Sequence, residues 1–132
     1  MGNSSSTLNR SQGFQWAIQK LLTANPNLRI YYFCPMPRYF GDLREAWDDA
    51  KWCDNYETNG IKFIDMVNFQ IELAKYYKIP VCDMYRTMGI NQWNIKSIMD
   101  SSSGDGTHPY LGFRMIANKI ASFIIANNNL NA

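Results

Sequence analysis

The chain has 132 residues, enough for one domain with its own core, and 46% of them are apolar against 18% charged, which excludes a disordered bulk. A net charge of +2, without clustered Lys and Arg, gives no footing for a nucleic-acid partner or an anionic membrane surface. Cys34, Cys53 and Cys82 are odd in number and lack CxxC spacing, so they make neither a disulfide framework nor a zinc site, and no run approaches the roughly 18 apolar residues of a membrane span.

Residues 1–10, with Ser4-Ser5-Ser6-Thr7, are polar and read as a flexible N-terminal segment. They do not have the basic-then-apolar order of an export signal, so the chain reads as soluble and its compartment stays open. From Ser11 onward, Phe14, Ala17, Ile18, Leu21 and Leu22 recur at helical spacing and predict a helix that Asn25-Pro26-Asn27 ends. Residues 28–34, rich in β-branched and aromatic side chains, predict a buried strand stopped by Pro35 and Pro37.

Residues 38–58 are irregular; Leu43, Ala46, Trp47 and Ala50 predict one short amphipathic turn, and Cys53 is open to exposure. A connection of this length serves as a substrate loop or as a plain surface insertion. A long helix is predicted over residues 60–77, with Ile64, Val67, Ile71 and Ala74 on one face, and a second strand over residues 79–83. Residues 84–99 read as short helical pieces broken by Gly89. The last helix follows His108, with Ile116, Ile120, Phe123 and Ile124 on one face, before a polar tail at 128–132.

Strands alternating with helices predict an α/β layer fold with a parallel sheet. Only two strands and three main helices are evident, and two parallel strands alone leave apolar edges unpaired. Cover must come from self-association or from a further, N-terminal portion of polypeptide.

His108 is the only histidine, and histidine is the side chain whose ordinary pKa suits proton exchange near neutral pH. Asp105, three residues earlier, lies within reach of Nδ1–H through a tight turn, which would fix the tautomer and leave Nε2 as a base. Gly104 and Gly106 permit the turn, and Pro109 suits the first position of the following helix. A bare D-x-x-H with a lone His is otherwise a capping or surface feature.

The longer string Asp105-Gly106-Thr107-His108-Pro109-Tyr110-Leu111-Gly112-Phe113, followed by Met115-Ile116-Ala117, resembles the C-terminal block of the SGNH (GDSL-type) hydrolases. Asn25-Pro26-Asn27-Leu28-Arg29-Ile30 through Pro35-Met36-Pro37-Arg38 is similar to the fourth strand of that family and its loop, and Tyr77 to Tyr85 to the fifth. The likeness covers roughly residues 12–127, and residues 11–127 read as a partial domain of that kind. It implies the C-terminal part of a flavodoxin-like three-layer α/β/α sandwich and hydrolysis of an acyl or acetyl ester of a carbohydrate or lipid, without metal or organic cofactor. The family's catalytic Asp and His fall on Asp105 and His108. Its serine belongs to a Gly-Asp-Ser motif, and this chain contains no Gly-Asp-Ser; the oxyanion-hole glycine and the Gly-x-Asn-Asp block are absent too, with Asn3 as the candidate remnant of the latter.

Ser101, Ser102 and Ser103 lie beside the dyad but read as loop or capping hydroxyls. Arg38, Tyr39 and Phe40, after the first strand, are candidates to line a substrate groove, and Trp47 and Trp52 to stack on sugar rings, against packing or exposed-loop roles. Asp48 and Asp49 read as a solvated face. The expected function is therefore ester hydrolysis in which this chain supplies the Asp–His part of a triad and is inert alone. The alternative is a degenerate, non-catalytic binding or assembly module.

Overall fold

The side chains of Tyr32 and its neighbours arrange the layers. In a computed structural model, which describes residues 10–128, Tyr32–Phe33 (β1) pairs in parallel with Val81–Cys82 (β4), Tyr32 opposite Val81 and Phe33 opposite Cys82. Successive strand residues point to opposite faces. Tyr32 packs its ring on Phe14 of the helix Arg10–Ala24 (α1) and donates its hydroxyl to Gln70 of Phe63–Tyr76 (α2), whereas Tyr31 and Phe33 meet Phe123 of Phe113–Asn127 (α4). Helices thus cover both faces of a two-stranded parallel sheet in a mixed α/β fold.

The predicted first strand is longer than the observed one. Only Tyr32 and Phe33 are assigned, with backbone bonds from Tyr32 N–H to Pro80 and from Cys34 N–H to Cys82, because β4 offers a ladder on one side and, among the described residues, nothing pairs on the other. The predicted long helix begins at Phe63, not Gly60. Asn59 and Gly60 both adopt positive φ (54° and 77°) at the tip of a hairpin between Glu57–Thr58 (β2) and Ile61–Lys62 (β3). Two consecutive positive-φ residues of this type form the two-residue turn whose twist matches that of paired strands.

Between residue 38 and the start of β2 the one helical piece is a 3₁₀ turn at Asp49–Lys51, capped by the Asp48 carboxylate. The segment folds back on itself: Phe40 N–H donates to Lys51, Cys53 N–H to Arg38, and Tyr39 bridges Trp52. Cys53 is fully buried, correcting the expectation of exposure. Residues 84–99 contain the short helix Met84–Thr87 (α3) and a 3₁₀ turn at Ile95–Ser97.

The main core gathers Cys34, Tyr39, Val67, Tyr85, Ile95 and Met99, while Ile18, Ala74 and Ile79 join α1 to α2 in a second cluster. Ile95 is 0% exposed. Ile95→Ala is expected to cost about 2–5 kcal/mol through lost burial and the cavity left behind, read as a lowered midpoint in urea unfolding. The helix α4 has no fully buried residue, and Phe113, Met115, Ile124 and Ile125 along it are exposed. No helix among the described residues is long and apolar enough to cross a membrane.

Candidate active site

The Asp105 loop is built by backbone ties to the segment that leaves β1. Tyr39 N–H donates to Gly106, Leu43 N–H to Gly104, and Asp42 bridges Asp105 in antiparallel fashion. The glycines permit this approach for two different reasons. Gly104 has φ +85°, a conformation that side chains disfavour, and a Cβ on Gly106 would lie 2.3 Å from the Tyr39 carbonyl oxygen.

Within the loop, Asp105 Oδ1 accepts from Thr107 N–H (2.7 Å), the Thr107 hydroxyl (2.8 Å) and His108 N–H (3.2 Å). Its Oδ2 lies 2.5 Å from His108 Nδ1. The Thr107 amide and then its hydroxyl, with His108 adding to them, hold the Asp105 carboxyl well below the usual carboxylate range. A carboxylate at Nδ1 fixes the imidazole tautomer that leaves Nε2 able to accept a proton. The imidazole is open to solvent, with 78% of its side-chain surface exposed against 32% for Asp105.

The helix after the dyad starts later than its sequence predicts. Pro109 is not the first helical residue; α4 begins at Phe113, because Leu111 and Gly112 N–H both turn back to the Ile98 carbonyl. His108 therefore sits on a pinned loop, not at a helix mouth.

The other candidates lie elsewhere. Arg38 turns inward, its guanidinium 5.4 Å from the Phe63 ring centroid; its Nε is buried without a hydrogen-bond partner among the described residues, and burial lowers its pKa. Tyr39, expected along a groove, is 2% exposed: its ring stacks on Trp47 (4.5 Å), and its hydroxyl accepts from Asp48 N–H. Its ring is a core element holding the loop, so it lines no open surface. Phe40 stacks on Tyr56. Trp47 keeps an exposed edge but commits its Nε1–H to Asp49 (2.7 Å). Trp52 is buried. Asn3 lies outside the described residues.

Among the described residues the hydroxyls near His108 are engaged elsewhere: that of Thr107 lies 3.2 Å from His108 Nδ1, the nitrogen turned to Asp105, and donates to Asp105 Oδ1. The hydroxyls of Ser102 and Ser103 donate to Asp100, which they hold below the ordinary carboxylate range. All three cysteines are buried, and burial pushes their thiols up, Cys34 to about 11, so they stay protonated near neutral pH. Among the described residues no three His, Cys, Asp or Glu side chains gather where they could hold a metal ion.

One feature escaped the sequence reading. A groove of about 640 Å³, lined by Trp52, Asp54, Tyr85, Gln92 and Trp93 among others, opens beside the start of α2 and includes neither Asp105 nor His108. The run Asn91-Gln92-Trp93-Asn94, an aromatic residue among amides just after a turn glycine, was its legible trace.

No protein-family model matches the sequence, and no curated protein does. Solved structures share the fold. One crystal structure is similar at a TM-score of 0.67 and 19% identity, over 89% of this chain and 52% of its own. A protein from Lactobacillus plantarum is similar at a TM-score of 0.66 and 19% identity, over 89% and 53%. The chain thus spans about half the length of the structures it matches.

Proposed function

We propose that this chain is the Asp–His-bearing half of an SGNH-type serine ester hydrolase, the C-terminal part of a flavodoxin-like α/β/α sandwich. The observation that carries the reading is the 2.5 Å contact between Asp105 Oδ2 and His108 Nδ1, within the Asp-x-x-His-Pro string. It is supported by the outer edge of β1, which no strand pairs among the described residues, by the exposed apolar side chains of α4, and by the matched structures being about twice as long. A further portion of polypeptide would cover those surfaces and bring a serine to the solvent-facing imidazole.

In this reading His108 Nε2 takes the serine proton as Oγ bonds to the ester carbonyl carbon. The C–O bond to the alcohol then breaks, and the alcohol leaves with that proton, giving an acyl-serine. Water adds to the acyl carbon with the same base taking its proton; the C–Oγ bond then breaks, the proton returns from Nε2 to Oγ, and the carboxylic acid leaves. Asp105 moves no proton; it holds the ring and stabilises the imidazolium that forms. Oxyanion donors also belong to the other portion, since this chain carries neither of the family's blocks for them.

The test is fluorophosphonate labelling. The 132-residue chain is expected to remain unlabelled, whereas a polypeptide extended in frame upstream to include a Gly-Asp-Ser segment is expected to be labelled, and to lose labelling in its His108→Ala variant. Strong His108-dependent labelling of the short chain would show that it holds its own nucleophile. An upstream sequence without a serine motif would instead favour the non-catalytic module.

A further inference from the structure

The groove beside α2 lies apart from the Asp105–His108 pair, and neither residue lines it. Trp93 is 83% exposed, the most exposed large apolar side chain among the described residues. The turn that carries it is nevertheless firmly held: Trp93 N–H donates to Asn91 Oδ1, Asn91 N–H to Asn94 Oδ1, and Asn94 Nδ2 to the Gly89 carbonyl, with Gly89 at φ +70°. These bonds fix the backbone of the turn from which the indole projects, so the ring is carried at one place on the groove rim, and holding the carrier of a contact in place lowers the cost of binding.

The groove lining also includes polar side chains held in place. Asp54 receives the Trp52 indole N–H (3.0 Å) on Oδ2 and the buried Tyr85 hydroxyl on Oδ1, which sets the carboxylate in place with lone pairs to spare. The Asn55 Nδ2 is committed to the Asp49 carbonyl, which orients its carboxamide. The Gln92 side chain also lines the groove. Arg86 offers no open cation, since it is paired with Asp83 and bonded to Asn68. The groove therefore presents a carboxylate, amides and an indole face, without a free positive charge.

We propose that this groove binds carbohydrate. A pyranose pairs an apolar C–H face, which suits the electron-rich face of an indole, with hydroxyls that both donate and accept, which suit a fixed carboxylate and carboxamides. Phosphate-bearing ligands are disfavoured because the one arginine is neutralised within the protein. The volume of about 640 Å³ lies within the roughly 300–1,000 Å³ typical of small-ligand sites. The groove and the dyad share one scaffold, since Trp52 bridges Tyr39 and Tyr39 is bonded to Gly106. The inference does not rest on the ester-hydrolase reading, because holding an unesterified glycan needs neither His108 nor a serine.

The test is calorimetric titration of the full chain with three uncharged oligosaccharides, xylotetraose, cellotetraose and the N-acetylated chitotetraose. At least one is expected to bind with Kd at or below about 1 mM. Trp93→Ala is expected to weaken that binding about tenfold or more, while Trp16→Ala, an exposed indole on α1 away from the groove, and His108→Ala leave it unchanged. Trp93 is exposed enough for its variant to fold, which a thermal melt verifies. Absence of binding by all three at millimolar concentration, or equal affinity in Trp93→Ala, overturns the proposal. Loss of binding in His108→Ala would move the ligand to the dyad and overturn it as well. Esterase activity in the extended polypeptide is scored separately, so either result can fail alone.

Discussion

His108→Ala, introduced into an upstream-extended polypeptide that carries a serine nucleophile, is expected to lower kcat toward p-nitrophenyl acetate by about 10³–10⁶-fold, with much less effect on KM. The base acts only as charge develops on Oγ, so its removal is felt in the transition state more than in substrate binding. Asp105→Asn should cost about 10³–10⁴-fold, because an amide can donate to Nδ1 and so favour the wrong tautomer. The double variant should lose little more than His108→Ala alone, since an orienter has no effect without the ring it orients. Additive losses would mean that Asp105 supports the loop independently of His108, and a kcat unchanged by His108→Ala would remove the catalytic reading.

Acidification offers a second view of the same pair. The Thr107 amide and hydroxyl hold the folded Asp105 carboxyl below its ordinary value. A carboxylate depressed on folding contributes stability that is present above the unfolded pKa and is lost as pH falls through the folded one. Over the range from neutral pH down to that of an ordinary carboxylate, Asp105 therefore stays ionised, and loss of activity there cannot be its protonation.

What the sequence made legible was local. The spacing of Asp105 and His108 and the glycines around them implied a pinned turn, and the contact within it is of that kind. Both strands were visible as apolar runs, but their observed length was not, because ladder length depends on a neighbour that composition cannot reveal. The hairpin at Asn59-Gly60 was legible and was overridden by the strong periodicity of α2 just after it; two positive-φ residues there required a turn before any helix. Arg38 and Tyr39 came soon after a strand and Trp52 in an irregular segment, settings that favour exposed loop roles on general grounds. Their inward packing arises from backbone bonds between residues up to 67 positions apart, such as Tyr39 to Gly106, a pairing that no local pattern encodes. Of the Trp93 groove only the run Asn91-Gln92-Trp93-Asn94 was legible, since its walls come from four separated stretches of chain.

Gly106→Ala tests that long-range strap directly and is expected to destabilise the protein by about 2–4 kcal/mol. The added Cβ would stand 2.3 Å from the Tyr39 carbonyl oxygen, 2.8 Å from Tyr39 Cβ and 3.0 Å from its carbonyl carbon, contacts with backbone and not with the free end of a side chain. Tyr39 cannot easily yield. Its N–H is bound to Gly106, its ring is stacked on Trp47, its hydroxyl is bonded to Asp48, and its strand-like segment bridges Trp52. Relief must come from separating the Asp105 loop from the segment after β1, which also displaces the imidazole from any nucleophile presented to it. Gly13→Ala is the matched control: within α1 a Cβ at Gly13 meets nothing within 4 Å, so the same chemical change should stabilise by about 0.5–1 kcal/mol through helix propensity. Urea midpoints moving in opposite directions would establish the strap. A Gly106→Ala variant as stable as the parent would show that the two loops are not held together, and with that the shared scaffold of groove and dyad would fall.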